Sequence, residues 1–135
     1  MLLSYSFSNF QSFRELTQVS TTVSEKVAPS DWLTTTSTGE RINKVIAVMG
    51  ANGSGKTTLL KPLVFLGWFI SHSFSQAPEA AIPFTPHFAT TNEATEFSAT
   101  AIYKGQIWKY VLRCIPERVI HEALYVKRER FKYVF

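Results

Sequence analysis

The chain has 135 residues, enough for one modest hydrophobic core, and 45% of them are hydrophobic, which is ordinary for a globular domain. The single cysteine, Cys114, excludes an internal disulfide, and no secretory leader is recognisable, so we expect a cytoplasmic protein. The most apolar stretch, residues 59–70, is interrupted by Lys61 and Pro62 and is too short to cross a bilayer, which excludes a membrane anchor there.

The N-terminal third predicts strands. Apolar residues alternate with serine over residues 3–9, the period-2 pattern of a half-buried strand, and residues 10–14 predict a turn. Dense Thr and Val over residues 16–23 predict a second strand. Residues 24–39 are rich in Ser, Thr and Pro and predict a loop. The next run, residues 44–49, is largely apolar, which predicts a central strand buried on both faces.

This apolar run leads into a glycine-rich segment that matches the pattern G-x-x-x-x-G-K-[ST] at every fixed position. Small residues let backbone N–H groups approach phosphate oxygens, and a following helix directs its positive end at the anion. Lys56 would then reach the β- and γ-phosphates of a nucleotide as the catalytic cation, and Thr57 would offer its hydroxyl to Mg²⁺. The alternative is a glycine-rich turn that opens an ordinary helix. The predicted cofactor-binding residues are Gly50, Ala51, Asn52, Gly53, Ser54, Gly55, Lys56, Thr57 and Thr58.

A helix is predicted from about residue 55 to 73, with a kink or an early break at Pro62. Its apolar residues cover much of the circumference, which predicts a helix packed between two layers. Residues 75–92 contain three prolines and predict an irregular connection.

The remainder predicts an antiparallel meander. Period-2 alternation over residues 97–103 is followed by a Lys104-Gly105 turn and by a return strand that ends before Pro116. Two further strands are predicted over residues 119–127 and from residue 131 onward. We therefore expect an α/β fold with a mixed sheet and one partial domain over residues 1–135: strands, loop and helix in 1–74, a connection in 75–94 and the meander in 95–135. Phosphate-loop kinases and small GTPases usually continue with a parallel strand, so the meander argues against them.

Nucleotide hydrolysis needs a second carboxylate in the Mg²⁺ shell and a group that orients water. The only Asp, Asp31, lies in the Ser/Thr-rich loop, and Glu122 is predicted to be a surface carboxylate on a meander strand. The three histidines lack the spacing of a metal cluster. We therefore expect either the N-terminal portion of a longer polypeptide or a chain that binds nucleotide without efficient turnover.

Three sets of residues carry a family resemblance. Residues 3–13 resemble the F-x-N-F-[RK]-S-F segment with which ABC-type ATPases related to SMC, RecF and OLD proteins begin, and residues 46–60 resemble the phosphate-loop segment of that group. Residues 95–97, the Lys104-Gly105 turn and residues 120–125 resemble the meander of a bacterial branch often found in phage-defence systems. The resemblance covers nearly the whole chain.

The resemblance implies the N-terminal lobe of an ATPase head, in which two copies sandwich two ATP molecules with Mg²⁺. It implies a homodimer or larger oligomer, acting in phage defence or DNA maintenance, with an effector nuclease or toxin as a possible partner. Family members carry the magnesium-holding Asp, catalytic Glu, signature motif and switch His in a C-terminal lobe, which this sequence lacks. Gln11 stands where the family often has Arg or Lys near the nucleotide, and Arg14 is a candidate substitute.

Two alternatives stay open. From Lys104 onward there are eight basic and three acidic residues, an excess of five positive charges. This excess fits either a solvated hairpin rim or a non-catalytic module that binds nucleic acid or a protein partner. A small phosphoryl-transfer kinase would need carboxylates that the sequence does not offer. The residues proposed for the binding module are Trp108, Tyr110, Arg113, Lys127, Arg128, Arg130 and Lys132.

Overall fold

A six-stranded antiparallel sheet with one helix on one face frames the protein in the computed structural model, which describes residues 1–135. The sheet order is β2-β1-β5-β6-β7-β8, and a separate two-stranded hairpin pairs β3 with β4. The elements in chain order are β1 (Leu2–Ser8), β2 (Thr17–Ser20), β3 (Leu33–Thr35), β4 (Arg41–Asn43), α1 (Lys56–His72), a 3-10 turn (Ser73–Ser75), β5 (Thr95–Tyr103), β6 (Gln106–Ile115), β7 (Arg118–Lys127) and β8 (Phe131–Tyr133).

The meander predicted from period-2 alternation is confirmed: β5, β6, β7 and β8 pair in succession, all antiparallel. Lys104 and Gly105 both have positive φ, 48° and 72°, as a two-residue hairpin turn requires. The first strand, the turn at residues 10–14 and the irregular connection are also confirmed. The second strand is shorter than predicted, and the predicted loop contains β3, which pairs with β4.

Cross-strand partners lie on the same side of a sheet, so the register sorts the side chains into two faces. The face toward α1, termed the helix face, holds the main core with the helix residues Phe65, Leu66 and Phe69. The opposite face, termed the open face, is covered only at one end, where Ile42 of β4 packs on Leu3, Ile102 and Ile107. The sheet residues of the main core are Tyr5, Phe7, Phe97, Tyr110, Leu112 and Cys114.

The prediction of a buried central strand over residues 44–49 is wrong. Val45 is 64% exposed and Met49 is 89% exposed. No backbone–backbone hydrogen bond is made by residues 45–49. An apolar run becomes a strand only where a neighbour supplies hydrogen-bond partners, and every pair in this sheet is antiparallel and formed by other segments. The segment therefore lies as an exposed apolar lead into the glycine-rich loop.

Of the two alternatives predicted at Pro62, the early break is wrong, because α1 continues to His72, and the kink stays a prediction. The prediction that α1 packs between two layers is also wrong. Only the face with Pro62, Phe65, Leu66 and Phe69 is buried, whereas Val64 is 73% exposed. Its outer face also exposes Leu60 and Ile70, so the apolar circumference seen in the sequence lacks a second covering layer here. Neither α1 nor the 3-10 turn after it combines the length and apolarity that crossing a bilayer requires.

Cys114 lies in the main core with no exposed surface, and burial raises the pKa of its thiol to about 12. Because the thiolate is the reactive form, we expect the folded protein to react negligibly with a thiol reagent at pH 8. In denaturant, one thiol per chain should react within minutes. Absorbance on titration with an aromatic disulfide checks this, and rapid labelling of the native protein would contradict the burial of Cys114.

Candidate functional site

The glycine-rich loop between residue 49 and α1 adopts a conformation that demands glycine at two positions. Gly53 has a φ of 78° and Gly55 a φ of 86°, both in the left-handed region. Gly55 is also the residue that precedes the helix, which begins at Lys56. A residue with a Cβ pays a steric cost of roughly 1–2 kcal/mol in this region, so a side chain at either position would strain the loop.

The space beside two glycines of the loop is also tight. A Cβ placed on Gly50 would lie 2.8 Å from Ser54 Oγ, and one on Gly55 would lie 3.3 Å from the ring of Phe13. Phe13 belongs to the turn after β1, and its ring meets the ring of Phe7 at 5.2 Å between centroids. The ring of Phe13, which packs on the core of the sheet, therefore occupies the space beside Gly55.

The side chain of Lys56 folds back over the loop. Its Nζ donates hydrogen bonds to the carbonyl oxygens of Gly50, at 2.7 Å, and Ala51, at 2.6 Å. The backbone N–H of Ser54 donates to the same Ala51 oxygen at 3.2 Å. The loop thus holds an ammonium group at its centre, a compact cation with three donors.

The start of α1 provides a second source of positive potential. The first N–H groups of a helix have no acceptor within it, and the aligned peptide dipoles leave partial positive charge at that end. No acidic side chain lies in the first turn of α1 to offset this charge. Thr57, in this turn, is exposed. The combination of a glycine cradle, an ammonium group and a free helix N-terminus fits the phosphate groups of a nucleotide.

The residues fit a magnesium ion only in part. The structure has no group of three or more His, Cys, Asp or Glu side chains that could hold a metal. Mg²⁺ in nucleotide sites takes oxygen ligands from substrate phosphates, water and few protein groups, and the Thr57 hydroxyl suits that role. The other candidates lie elsewhere: the exposed Asp31 accepts a hydrogen bond from Lys44 through its backbone carbonyl, and Glu122 accepts one from Tyr110.

The turn after β1 contacts α1 through a pair of residues that sequence analysis did not connect. Lys61 Nζ donates a hydrogen bond to Gln11 Oε1 at 3.1 Å. Arg14, the candidate substitute for the missing cation at residue 11, lies at the surface with its Nε 3.8 Å from Glu15. Lys61 therefore supplies a cation beside Gln11, and no linear pattern links positions fifty residues apart.

Asn9 holds the segment beside this turn through its buried side-chain amide. Its Nδ2 donates to the carbonyls of Thr90 and Glu93, at 3.0 and 2.8 Å. Its Oδ1 accepts from the backbone N–H of His87 at 3.0 Å and from the Thr90 hydroxyl at 2.6 Å. The backbone carbonyl of Asn9 also accepts a hydrogen bond from Thr95 at 2.7 Å. The Asn of the F-x-N-F segment thus ties the turn that supports the loop to the irregular connection.

The loop and the meander both fall within a known family. The family model described as "AAA domain, putative AbiEii toxin, Type IV TA system" matches residues 45–135, which is more than half of the chain. The chain belongs to this family. This AbiEii-type AAA domain is a P-loop domain of the nucleotide-binding ATPase type, and such domains use a nucleotide, usually with Mg²⁺. A search of curated proteins gives no match. The matched range of the AAA domain leaves out β1 to β4 and covers the glycine-rich loop, α1, the irregular connection and the meander.

Proposed function

We propose that this chain binds ATP with Mg²⁺ through residues 50–58. The observation that carries the proposal is the position of the Lys56 ammonium, 2.6–2.7 Å from two loop carbonyls at the start of a helix with no acid in its first turn. A triphosphate would replace these neutral carbonyls with charged oxygens. An ammonium–phosphate contact adds the attraction between opposite charges, which an ammonium–carbonyl hydrogen bond lacks, and this favours the exchange.

In this proposal Lys56 binds the β- and γ-phosphates, and the backbone N–H groups of residues 52–58 bind the remaining oxygens. Thr57 supplies one magnesium ligand through its hydroxyl. The chain itself contributes binding and charge stabilisation. Hydrolysis would depend on acidic residues supplied by a further lobe or subunit.

We further propose that the chain acts as the N-terminal lobe of an ABC-type ATPase head of the SMC, RecF and OLD class. The exposed apolar side chains of Val45 and Met49, and of the outer face of α1, support a lobe that packs against another layer. Pairing with a strand from that layer would convert residues 44–49 into the central strand that their composition favours. ATP would close two such heads into a dimer in the cytoplasm, and hydrolysis would reopen it.

The biological role proposed for this cycle is the control of an effector, a nuclease or toxin, in phage defence or DNA maintenance. Its support is the toxin named in the description of the matching family, together with the meander resemblance. A toxin partner is therefore a more direct expectation than a nuclease.

Isothermal titration calorimetry of the 135-residue chain tests the binding proposal. We expect a saturable heat with Mg²⁺ and ATP, a weaker one with ADP, and none with adenosine, because the cradle recognises phosphates. Adenosine is the matched control, since it carries the same base and sugar. Equal binding of ATP and adenosine, or no heat with any nucleoside triphosphate, would contradict the proposal.

Replacing Thr57 by valine should reduce affinity for ATP in the presence of Mg²⁺ by roughly 3- to 10-fold, as expected for the loss of one uncharged ligand. Affinity in EDTA should stay unchanged, because the valine removes only the metal ligand. Thr57→Ser keeps the hydroxyl and should behave like wild type. If Thr57→Val weakened binding equally with and without Mg²⁺, its role would be packing and not metal binding.

A further inference from the structure

Most of the open face of the sheet is uncovered. The β3–β4 hairpin packs on one end of it through Ile42, and the α1 helix lies on the other side. Beyond Ile107, which packs on Ile42, no hydrophobic cluster covers the open face of β6, β7 and β8: Lys109 and Tyr125 are half-buried there, and Tyr133 is exposed. Side chains that alternate onto this face therefore form a surface open to a ligand.

Three residues form a row across this surface. Lys109 of β6 pairs with Tyr125 of β7, and Tyr125 pairs with Tyr133 of β8, so the three side chains stand side by side about 5 Å apart. The two tyrosine rings meet edge to face with centroids 5.8 Å apart, and Tyr133 is 65% exposed. Two residues further along β7, and on the same face, Lys127 pairs with Phe131, whose side chain is 45% exposed. Two lysines thus lie beside three aromatic side chains on the open face.

We propose that this surface binds single-stranded nucleic acid. Exposed rings on a sheet provide stacking platforms for unpaired bases, and each stacked base contributes roughly 1–3 kcal/mol. Lysines beside the rings can neutralise the phosphates that link successive bases. In a duplex the bases are stacked on one another, so no face of a base is accessible to the tyrosine rings. The row therefore favours single strands over double-stranded DNA.

The surface differs from the residue set that the sequence indicated. Tyr110 is buried on the helix face, where its hydroxyl donates to Glu122 at 2.6 Å. Trp108 is two residues before Tyr110 on β6 and therefore lies on the same face, the helix face. Trp108 pairs with Val126 of β7, and Val126 pairs with Lys132 of β8, so Lys132 also lies on the helix face. The register thus excludes three residues of the predicted set and adds Lys109, Tyr125 and Tyr133.

Lys109 is a cleaner probe of the proposal than Lys127. Glu40, on the β3–β4 hairpin, has a lowered pKa, mainly because Thr38 donates a hydrogen bond to its carboxylate and in smaller part because of the charge of Lys127. Lys127 therefore lies near enough to a carboxylate of the protein for the two charges to interact. No corresponding carboxylate pairs with Lys109, whose partners across the strands are Thr100 and Tyr125.

Fluorescence anisotropy with labelled 12-nucleotide oligo(dT) and oligo(U), at low salt and without nucleotide, tests the proposal. Tyr133→Ser should weaken binding of both oligomers by about 5- to 100-fold. Tyr103→Ser is the matched control, because Tyr103 is 62% exposed but lies on the helix face beside Gln106. It should change affinity less than about twofold.

A second matched pair separates the proposed surface from general electrostatic attraction. Lys109→Gln and Lys132→Gln remove the same charge from opposite faces. The slope of log affinity against log salt should fall by about 0.7 for Lys109→Gln and stay unchanged for Lys132→Gln. Circular dichroism should show that all four variants are folded.

The proposed oligomer binding does not involve the glycine-rich loop. We therefore expect Lys56→Ala to leave the affinity for both oligomers unchanged. Binding of either oligomer that depends on Tyr133 and Lys109, but not on their controls, supports it. Absence of binding to both oligomers at low salt would overturn it. Equal losses in the two lysine variants would also overturn it, since they would indicate diffuse charge attraction.

Discussion

The Lys56→Ala variant is expected to bind ATP roughly 10- to 100-fold more weakly than wild type, because it loses charge-assisted hydrogen bonds worth about 1.5–3 kcal/mol. The fold should be unaffected. The Lys56 ammonium bonds only to the carbonyls of Gly50 and Ala51, within the loop itself. Calorimetric titration of both proteins with ATP and Mg²⁺ measures the difference.

Lys61→Ala is the matched control for this experiment. Lys61 lies on the same helix and is exposed, and it bonds to Gln11 beyond the loop. It should change ATP affinity less than about threefold, the effect expected of a neighbouring surface charge. If Lys56→Ala bound ATP as tightly as wild type, Lys56 would have no role at the phosphates. A large loss in Lys61→Ala alone would move the site toward Gln11.

The Asn9→Ala variant should lose about 3–5 kcal/mol of unfolding free energy. Asn9 is 4% exposed, and its amide makes four hydrogen bonds to the segment around His87, Thr90 and Glu93. Alanine would leave these buried groups without partners, and each such group costs roughly 1–3 kcal/mol. Asn9 also has a φ of 52°, which asparagine tolerates better than alanine. Urea denaturation followed by circular dichroism measures the loss.

Asn92→Ala provides the comparison, because Asn92 is exposed in the connection that Asn9 holds. Its unfolding free energy should stay within about 0.5 kcal/mol of wild type. The melting temperature of Asn9→Ala should fall by roughly 10–15 °C. A fall no larger than that of Asn92→Ala would mean that the four hydrogen bonds contribute little.

Local patterns in the sequence predicted the elements whose structure is local. Alternation of period 2 predicted β1 and the meander, and the spacing of Gly50, Gly55 and Lys56 predicted the loop at the start of α1. The meander strands pair with their neighbours along the chain, whereas β1 pairs both with the neighbouring β2 and with the distant β5. Burial was harder to predict, because composition alone does not identify a partner. Residues 44–49 and the outer face of α1 are apolar, yet nothing in this chain covers them.

The support of the site was not predictable for a related reason. The Phe13 ring lies beside Gly55, Gln11 accepts a hydrogen bond from Lys61, and Asn9 bonds to a segment some eighty residues away. These contacts depend on how the elements assemble, and no spacing in the sequence encodes them. The surface formed by the basic residues of the meander was equally hard to predict. The sequence shows how many basic residues there are, but only the strand register shows which face of the sheet each side chain occupies.

The exposed lead into the loop has a consequence for how the chain behaves at high concentration. Residues 45–49 are rich in β-branched side chains, carry no charge and leave their backbone N–H and C=O groups free of intramolecular bonds. Such a stretch is a template for adding strands from other molecules. Mutual repulsion from the net charge of +4 opposes that growth, so the chain should stay dispersed best in dilute, low-salt buffer.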